Sequence, residues 1–337
     1  MDNTSPAAWD PVSNRIYFNR RDDKGTWTSH SAMPDGSDSR CLMCDMKSPT
    51  GTRTGPQQGV SDVTPDGKYL ISTVEKAEHP APNGSSYSAP GRGLYNDLWL
   101  IRTDGSEGWP LTDLTTDPVS GVIWPRFDRT GTQIVWAQMY QGFDLAHPLG
   151  KWSMRVARVE WDGDRPVLKD ERTFDPQEGR FYEPYQFSPD NSRIIFASDY
   201  DTPSVLLGPS QTNVQIWTID VATLRDVQRV SPDQPISGMF SNYNEFAYYL
   251  PTSDGSRVMF ARTAEATDHG MDIWTATADG QDPQRLTFLN EPDHEQHVGY
   301  AVMGGVAFDP KDPKRFVVGV SQSLDGESLN AYFVTLS

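Results

Sequence analysis

The chain has 337 residues, 36% of them hydrophobic and 11% aromatic, with a formal net charge of −17 and a pI near 4.7. That length and aromatic content can fill a large core, while the negative charge repels phosphate backbones and excludes nucleic acid as a partner. No stretch approaches the ~18 consecutive apolar residues of a membrane-crossing helix.

The opening MDNTSPAAWD has neither the basic start nor the apolar run of an export signal. From Asp10, DPVSNRIYFN reads as a tight turn running into a strand with a branched and aromatic end. The turn residues tolerate or preset the bend. Related segments begin at Thr64 (TPDGKYLIST), Asp128 (DRTGTQIVWA), Ser188 (SPDNSRIIFA), Thr252 (TSDGSRVMFA) and, more loosely, Asp309 (DPKDPKRFVVGV). A second hairpin follows each: TWTSHSAMPDGSDSRCL, DLWLIRTDGSEGWPLT, WSMRVARVEWDGDRPVLK, QIWTIDVATLRDVQRVS and DIWTATADGQDPQRLT, with AYFVTLS ending the chain. Each repeat is thus four antiparallel strands at roughly 60-residue spacing, the period of a propeller blade. The expected fold is all-β: a six-bladed β-propeller of four-stranded antiparallel blades, forming one domain over residues 1–337. The segment before Asp10 is expected to supply the missing outer strand of the last blade. Trp99, Trp217 and Trp274 recur at one repeat position and are expected to pack between blades.

Cys41 and Cys44, the only cysteines, have the spacing of a small disulfide, a redox pair or half a zinc site. No second half of a zinc site follows, and no βαβ setting suits a redox motif, so a structural or incidental pair is expected.

The turn after each inner strand and the DIW…ADG…RLT hairpin resemble the TolB-like family of six-bladed propellers over nearly the whole chain. That family hosts binding proteins, protease-associated domains and polysaccharide lyases. The resemblance implies a periplasmic or secreted protein, its export signal not present in the chain, and a monomer is expected.

Within each repeat the first and third turns are short and share one face. The second connection and the repeat-to-repeat connection are long and share the other, where function is expected. His79, His147, His269, His294 and His297 fall on that face, and His30 falls in a strand. His294, Gln296 and His297, with His269 from a neighbouring loop, are candidate ligands for a divalent metal (Mn, Ca or Zn). The same loop, NEPDHEQHVGY, reads equally as a polar connection whose histidines bond to backbone. Oligogalacturonate lyases, TolB-related propellers, hold manganese with histidines and a glutamine near the start of a blade, and the resemblance places Gln296 and His297 similarly.

Glu183 in FYEPY and Glu245 in NYNEF occupy equivalent positions before successive inner strands, beside tyrosines. They suit sugar recognition or acid–base work; alternatively the tyrosines pack between blades and the acids accept loop N–H groups. Trp124, Tyr182, Tyr243, Tyr300, His79 and His147 are candidate ligand-binding residues around the funnel mouth. Two functions follow. One is a propeller that binds a carbohydrate or protein on its long-loop face. The other is a metal-assisted polysaccharide or oligouronate lyase, with His297 or Tyr185 as base, Glu183 and Glu245 as further catalytic groups, and Arg126 clamping a uronate carboxylate.

Overall fold

The structure, a computed structural model, describes residues 3–79, 86–142, 149–177, 179–200, 213–232, 242–264, 270–323 and 329–336. The strands follow the repeat. One four-stranded antiparallel sheet holds β1 (Thr4–Trp9), β2 (Ile16–Arg21), β3 (Trp27–Ala32) and β4 (Arg40–Cys41). The next holds β5 (Thr54–Val63), β6 (Tyr69–Lys76), β7 (Asn96–Arg102) and β8 (Gly108–Pro110). A third holds β9 (Gly121–Phe127), β10 (Gln133–Gln141), β11 (Lys151–Asp162) and β12 (Arg165–Phe174).

Two further antiparallel units follow: β13 (Tyr182–Phe187), β14 (Arg193–Ser198), β15 (Asn213–Asp220) and β16 (Gln228–Arg229), then β17 (Asn242–Tyr249), β18 (Arg257–Thr263), β19 (Met271–Thr277) and β20 (Gln284–Arg285). They join into one eight-stranded sheet, because β15 meets β17 in parallel at Asn213–Asn242 and Val214–Tyr243. The last sheet has three described strands, β21 (Val302–Phe308), β22 (Arg315–Ser321) and β23 (Leu329–Thr335).

The turns repeat at the level of single atoms. At each turn between first and second strands, a side-chain oxygen accepts a backbone N–H from further round the bend. Asp10 accepts from Val12, Thr64 from Tyr69, Asp128 from Thr132, Ser188 from Arg193, Ser253 from Arg257 and Asp309 from Lys311. These local bonds supply the partners that a bend withdraws from the sheet ladder. A second recurrent device joins the two short turns of a unit. Arg193 donates to the Asp226 carboxylate at 2.8 Å and Arg257 to Asp282 at 2.9 Å, and Arg15 pairs with Asp38 in the same way.

The first strands touch in sequence, β1 to β5, β5 to β9, β9 to β13, β13 to β17 and β17 to β21, and β21 touches β1, so they close a ring. The core lies between neighbouring sheets. Trp99 belongs to an apolar cluster with Ala7, Tyr17 and Leu70, while Trp217 and Trp274 join the largest apolar cluster. Asn19 ties β2 to β5 through paired bonds with the Val60 backbone at 3.0 and 2.8 Å. Cys41 and Cys44 form a disulfide.

One expectation is corrected. Thr4–Trp9 is not an outer strand added to the last sheet; it is β1, the first strand of the first sheet, paired with β2 from Thr4–Arg20 to Trp9–Ile16. Its TSPAAW sequence is short and nearly fully buried, which suits an interior position better than a solvent-facing edge.

All six first strands carry one residue more than their partner at nearly the same level. The extra residue falls at Ala7 in β1, Ser61 in β5, Trp124–Pro125 in β9, Tyr185 in β13, Phe246–Ala247 in β17 and Gly304–Gly305 in β21. Such bulges bend a strand and redirect its side chains. Trp124 and Phe246 take φ of 49° and 52°, the left-handed region that bulky residues rarely enter.

The two glycines of the β21 bulge have different surroundings. A Cβ on Gly305 would lie 2.1 Å from the Pro6 carbonyl oxygen, whereas one on Gly304 would meet the Leu329 Cδ1 at 3.4 Å. Gly305→Ala is therefore expected to lower stability by about 1–3 kcal/mol, as overpacking against backbone does. Gly304→Ala should change it much less. Urea unfolding of both variants checks this, and equal effects would refute the account of ring closure.

Candidate functional site

The bulges give the middle of the ring two unlike halves. On one side Trp124, Tyr185 and Phe246 come from three successive first strands, with centroids 5.9 Å (Trp124–Tyr185), 5.5 Å (Trp124–Phe246) and 6.0 Å (Tyr185–Phe246) apart. On the other side the bulge residues are Ala7, Ser61 and the Gly304–Gly305 pair. The small half leaves open the space that the aromatic half faces.

Two cavities meet this waist. One, of about 640 Å³, opens toward the long connections and is lined by Trp124, Glu183, Tyr243, Glu245, Phe246 and Arg92 among others. The other, about 510 Å³, opens among the short turns and is lined by Arg126, Tyr185, Tyr248, Asp62, Trp9 and Asp128 among others. The first has the size and walls of a small-molecule site.

Arg126 sits at the waist and is only 4% exposed. Its Nη1 donates to the carbonyl oxygens of Ser61 and, at 3.4 Å, Ala7, both bulge residues; its Nη2 donates to the Tyr248 hydroxyl at 3.3 Å. The guanidinium also lies 5.4 Å from the Trp124 ring centroid and 5.8 Å from that of Tyr248. A planar fork with several donors suits this arrangement in a way a lysine could not.

Glu183 and Glu245 are structurally equivalent. Glu183 pairs with Ala197 and Glu245 with Ala261, each just ahead of its bulge. Glu183 is 4% exposed, and its Oε2 has no hydrogen-bond partner. Burial pushes its carboxyl well above the ordinary carboxylate range; Tyr185, Arg126 and Trp124 oppose the shift. The Trp124 indole nitrogen and Tyr185 hydroxyl are buried without completing a hydrogen bond. Glu245 is raised by burial and by the charge of Glu183. Tyr243, which lines the same cavity, is raised by burial, Glu245 and Glu183, and Tyr300 is raised by burial and by the charge of Glu245.

The structure thus brings Trp124, Arg126, Glu183, Tyr185, Tyr243 and Glu245 to the waist and its two cavities, and Tyr300 lies outside both linings. Tyr182 lies elsewhere: it is fully buried against Phe174 and Phe196 between sheets, on the opposite face of β13 from Glu183. His79 is exposed, 3.5 Å from the Thr116 hydroxyl. His147 and His269 lie outside the described residues.

In the NEPDHEQHVGY loop, the His294 ring stacks on Phe288 at 4.2 Å, and its Nδ1 accepts the Gln296 backbone N–H at 3.1 Å. Gln296 Oε1 accepts the Phe288 N–H at 2.9 Å. Arg285 covers Phe288 at 4.4 Å and pairs with Asp272 at 2.8 Å. His297 is exposed, its backbone N–H bonded to the His294 carbonyl at 2.9 Å. Among the described residues, no three His, Cys, Asp or Glu side chains gather where they could hold a metal.

The sequence reading missed Tyr248 and Asp62 at the waist. Aligning the first strands on their bulges brings them out, since the residue that follows the bulge is Asp62 in β5, Arg126 in β9, Gln186 in β13 and Tyr248 in β17.

No protein-family model matches the sequence, and no curated protein does. Solved structures do. A putative TolB from Agrobacterium tumefaciens is similar at 12% identity and a TM-score of 0.52, over 100% of this chain and 91% of that one. TolB from Acinetobacter baumannii is similar at 13% and 0.52, over 99% of this chain and 63% of that one. An oligogalacturonate lyase in complex with manganese is similar at 13% and 0.55, over 100% and 91%. At these identities the likeness establishes the fold, a TolB-like β-propeller.

Because the folded protein favours the protonated acids, the pair supports folding below the ordinary carboxylate range, and this support is lost as pH rises through the raised values. Glu245→Gln stays neutral throughout and removes the repulsion on Glu183. The variant should melt about 1–3 °C above wild type near pH 8.5 and lose that advantage near pH 4.5. Thermal melts at the two pH values check this; an advantage independent of pH would refute the assignment. Arg126→Met should cost about 1–3 kcal/mol in urea unfolding, since it leaves the buried Ser61 and Ala7 carbonyls and the Tyr248 hydroxyl without their donor.

Proposed function

We propose that this chain is an extracytoplasmic six-bladed propeller, one domain over residues 1–337, that binds a ligand or partner in the pocket on its long-loop face. The observation that carries the reading is the convergence of Glu183, Glu245, Trp124, Tyr243 and Phe246 on one cavity of about 640 Å³. Six blades are supported by the closed ring of first strands, with the eight-stranded sheet counted as two blades joined by a two-residue parallel contact. The Cys41–Cys44 disulfide supports an oxidising compartment, periplasmic or extracellular.

Aromatic rings beside carboxylates suit a carbohydrate, whose apolar ring faces stack and whose hydroxyls donate to the acids. They equally suit a side chain presented by a protein partner. The protein acts as a monomer in this reading, the pocket being built within one chain.

The second reading, a metal-assisted lyase acting on acidic sugars, is favoured by the likeness to the manganese-bound lyase. The chain's own residues fit it less well. Arg126, the expected uronate clamp, is held by Ser61, Ala7 and Tyr248 and does not line the long-loop pocket. The two acids that do line it are no counter-charge for a uronate carboxylate. His294 Nδ1 and Gln296 Oε1 are engaged inside their own loop. No step through a metal is derived.

Elemental analysis of protein purified without chelator or nickel resin separates the readings. The binding reading expects no stoichiometric manganese, calcium or zinc. A stoichiometric metal lost in His294→Ala/His297→Ala, with oligouronates cleaved to unsaturated products, would overturn it. A glycan array and a pull-down with wild type and Trp124→Ala then test the pocket itself. Ligands held by wild type should be retained at least about tenfold less well by the variant, the scale of a lost stacking anchor.

A further inference from the structure

We infer that the long-loop pocket selects an organic cation, a protonated amine or a guanidinium, held between the Glu183 and Glu245 carboxylates and the surrounding aromatic rings. This rests on the reading that the pocket is the binding site and adds the chemical class of what enters it.

Three observations carry it. The first is charge. Two carboxylates from neighbouring first strands face one cavity, and the nearest cation is committed elsewhere: Arg126 is bonded at the waist to two carbonyls and a phenol and lines only the opposite cavity. Arg92 is the one cation among the described residues of the lining, and it is exposed. A ligand bringing a positive charge favours the ionised form of both acids, which release their protons as it binds, whereas an anionic ligand favours the protonated form.

The second is the walls. Trp124, Tyr243 and Phe246 line the cavity, and an ammonium or guanidinium is attracted to the face of such rings, more strongly where water is excluded. Arg126, between Trp124 and Tyr248, already shows this pairing on the far side of the same tryptophan layer.

The third is the state of Glu183. It is 4% exposed, and the Trp124 N–H and the Tyr185 hydroxyl stand beside it as donors that fall short of full hydrogen bonds to its Oε2. Small shifts of these donors would support an ionised Glu183 once a cation enters, since hydrogen bonds to the charged form favour it. A hard divalent ion fits less well. It requires about six or more oxygen ligands, whereas among the described lining residues only Glu183 and Glu245 are carboxylates, set beside the rings.

The test is calorimetry on the full chain with n-butylammonium, its neutral counterpart n-butanol, and the peptide Gly-Lys-Gly. Butylammonium or the peptide should bind at least about tenfold more tightly than butanol. Glu183→Gln/Glu245→Gln, shown to be folded by its melting curve, should lose that preference. A tighter peptide identifies a lysine side chain of a protein partner as the source, and a tighter butylammonium identifies a free amine; either supports the inference. If butanol binds as well as butylammonium and Trp124→Ala weakens both, the cation preference is wrong and the pocket reading stands. If none binds to wild type at about 100 mM, beyond the weakest affinities of a specific site, both fail.

Discussion

One extra residue in each first strand shapes the centre of this protein. A regular strand alternates its side chains between faces and would send every second residue into the space between sheets. A bulge breaks that alternation at one level and turns backbone and side chain toward the axis. Six bulges at nearly one level make a waist. Its character follows from what occupies the extra position: rings in β9, β13 and β17, and almost no side chain in β21, β1 and β5. The cavity on the long-loop side is the space left by the small half.

Arg126 completes this arrangement. The bulged backbones of β1 and β5 turn carbonyls toward the axis, where ladder partners are lost, and an unsatisfied buried carbonyl is costly. The guanidinium answers both carbonyls and reaches Tyr248 across the ring. A group that reads in the sequence as a candidate clamp for an acidic substrate is occupied as a tie between strands 65 and 122 residues away in the chain. Its charge is held at the waist and lies outside the lining of the pocket that the acids face, and burial raises both acids.

The histidine-bearing loop that stands out in the sequence has a different physical character. Its polar side chains are arranged along one short stack of Arg285, Phe288 and His294, and Gln296 closes it by accepting a backbone N–H. Spacing in a loop does not oblige two imidazoles to converge, whereas spacing on a bulged strand that is hydrogen-bonded on one side and packed on the other does constrain where a carboxylate points. Glu183 and Glu245 were legible because they recur at one repeat position beside tyrosines. The four expected metal ligands rest on residue type, loop spacing and a resemblance, none of which fixes where a side chain points, and neither His294 nor Gln296 turns a donor toward a shared centre among the described residues.

Local chemistry lay within reach of the sequence. The turns, the four-strand repeat, the inter-sheet tryptophans and the side with long connections are each set by residues a few positions apart, so the strands, the recurring turn caps and the packing of Trp99, Trp217 and Trp274 follow directly from the pattern. Only the tertiary structure decided that Thr4–Trp9 is an inner strand, that Tyr182 turns into the core while Glu183 faces the cavity, and that Arg126 is bound at the waist. Each of these depends on a register shift of a single residue or on a partner more than sixty positions away. Such a shift reverses the face of every residue beyond it, and nothing in the neighbouring sequence records it.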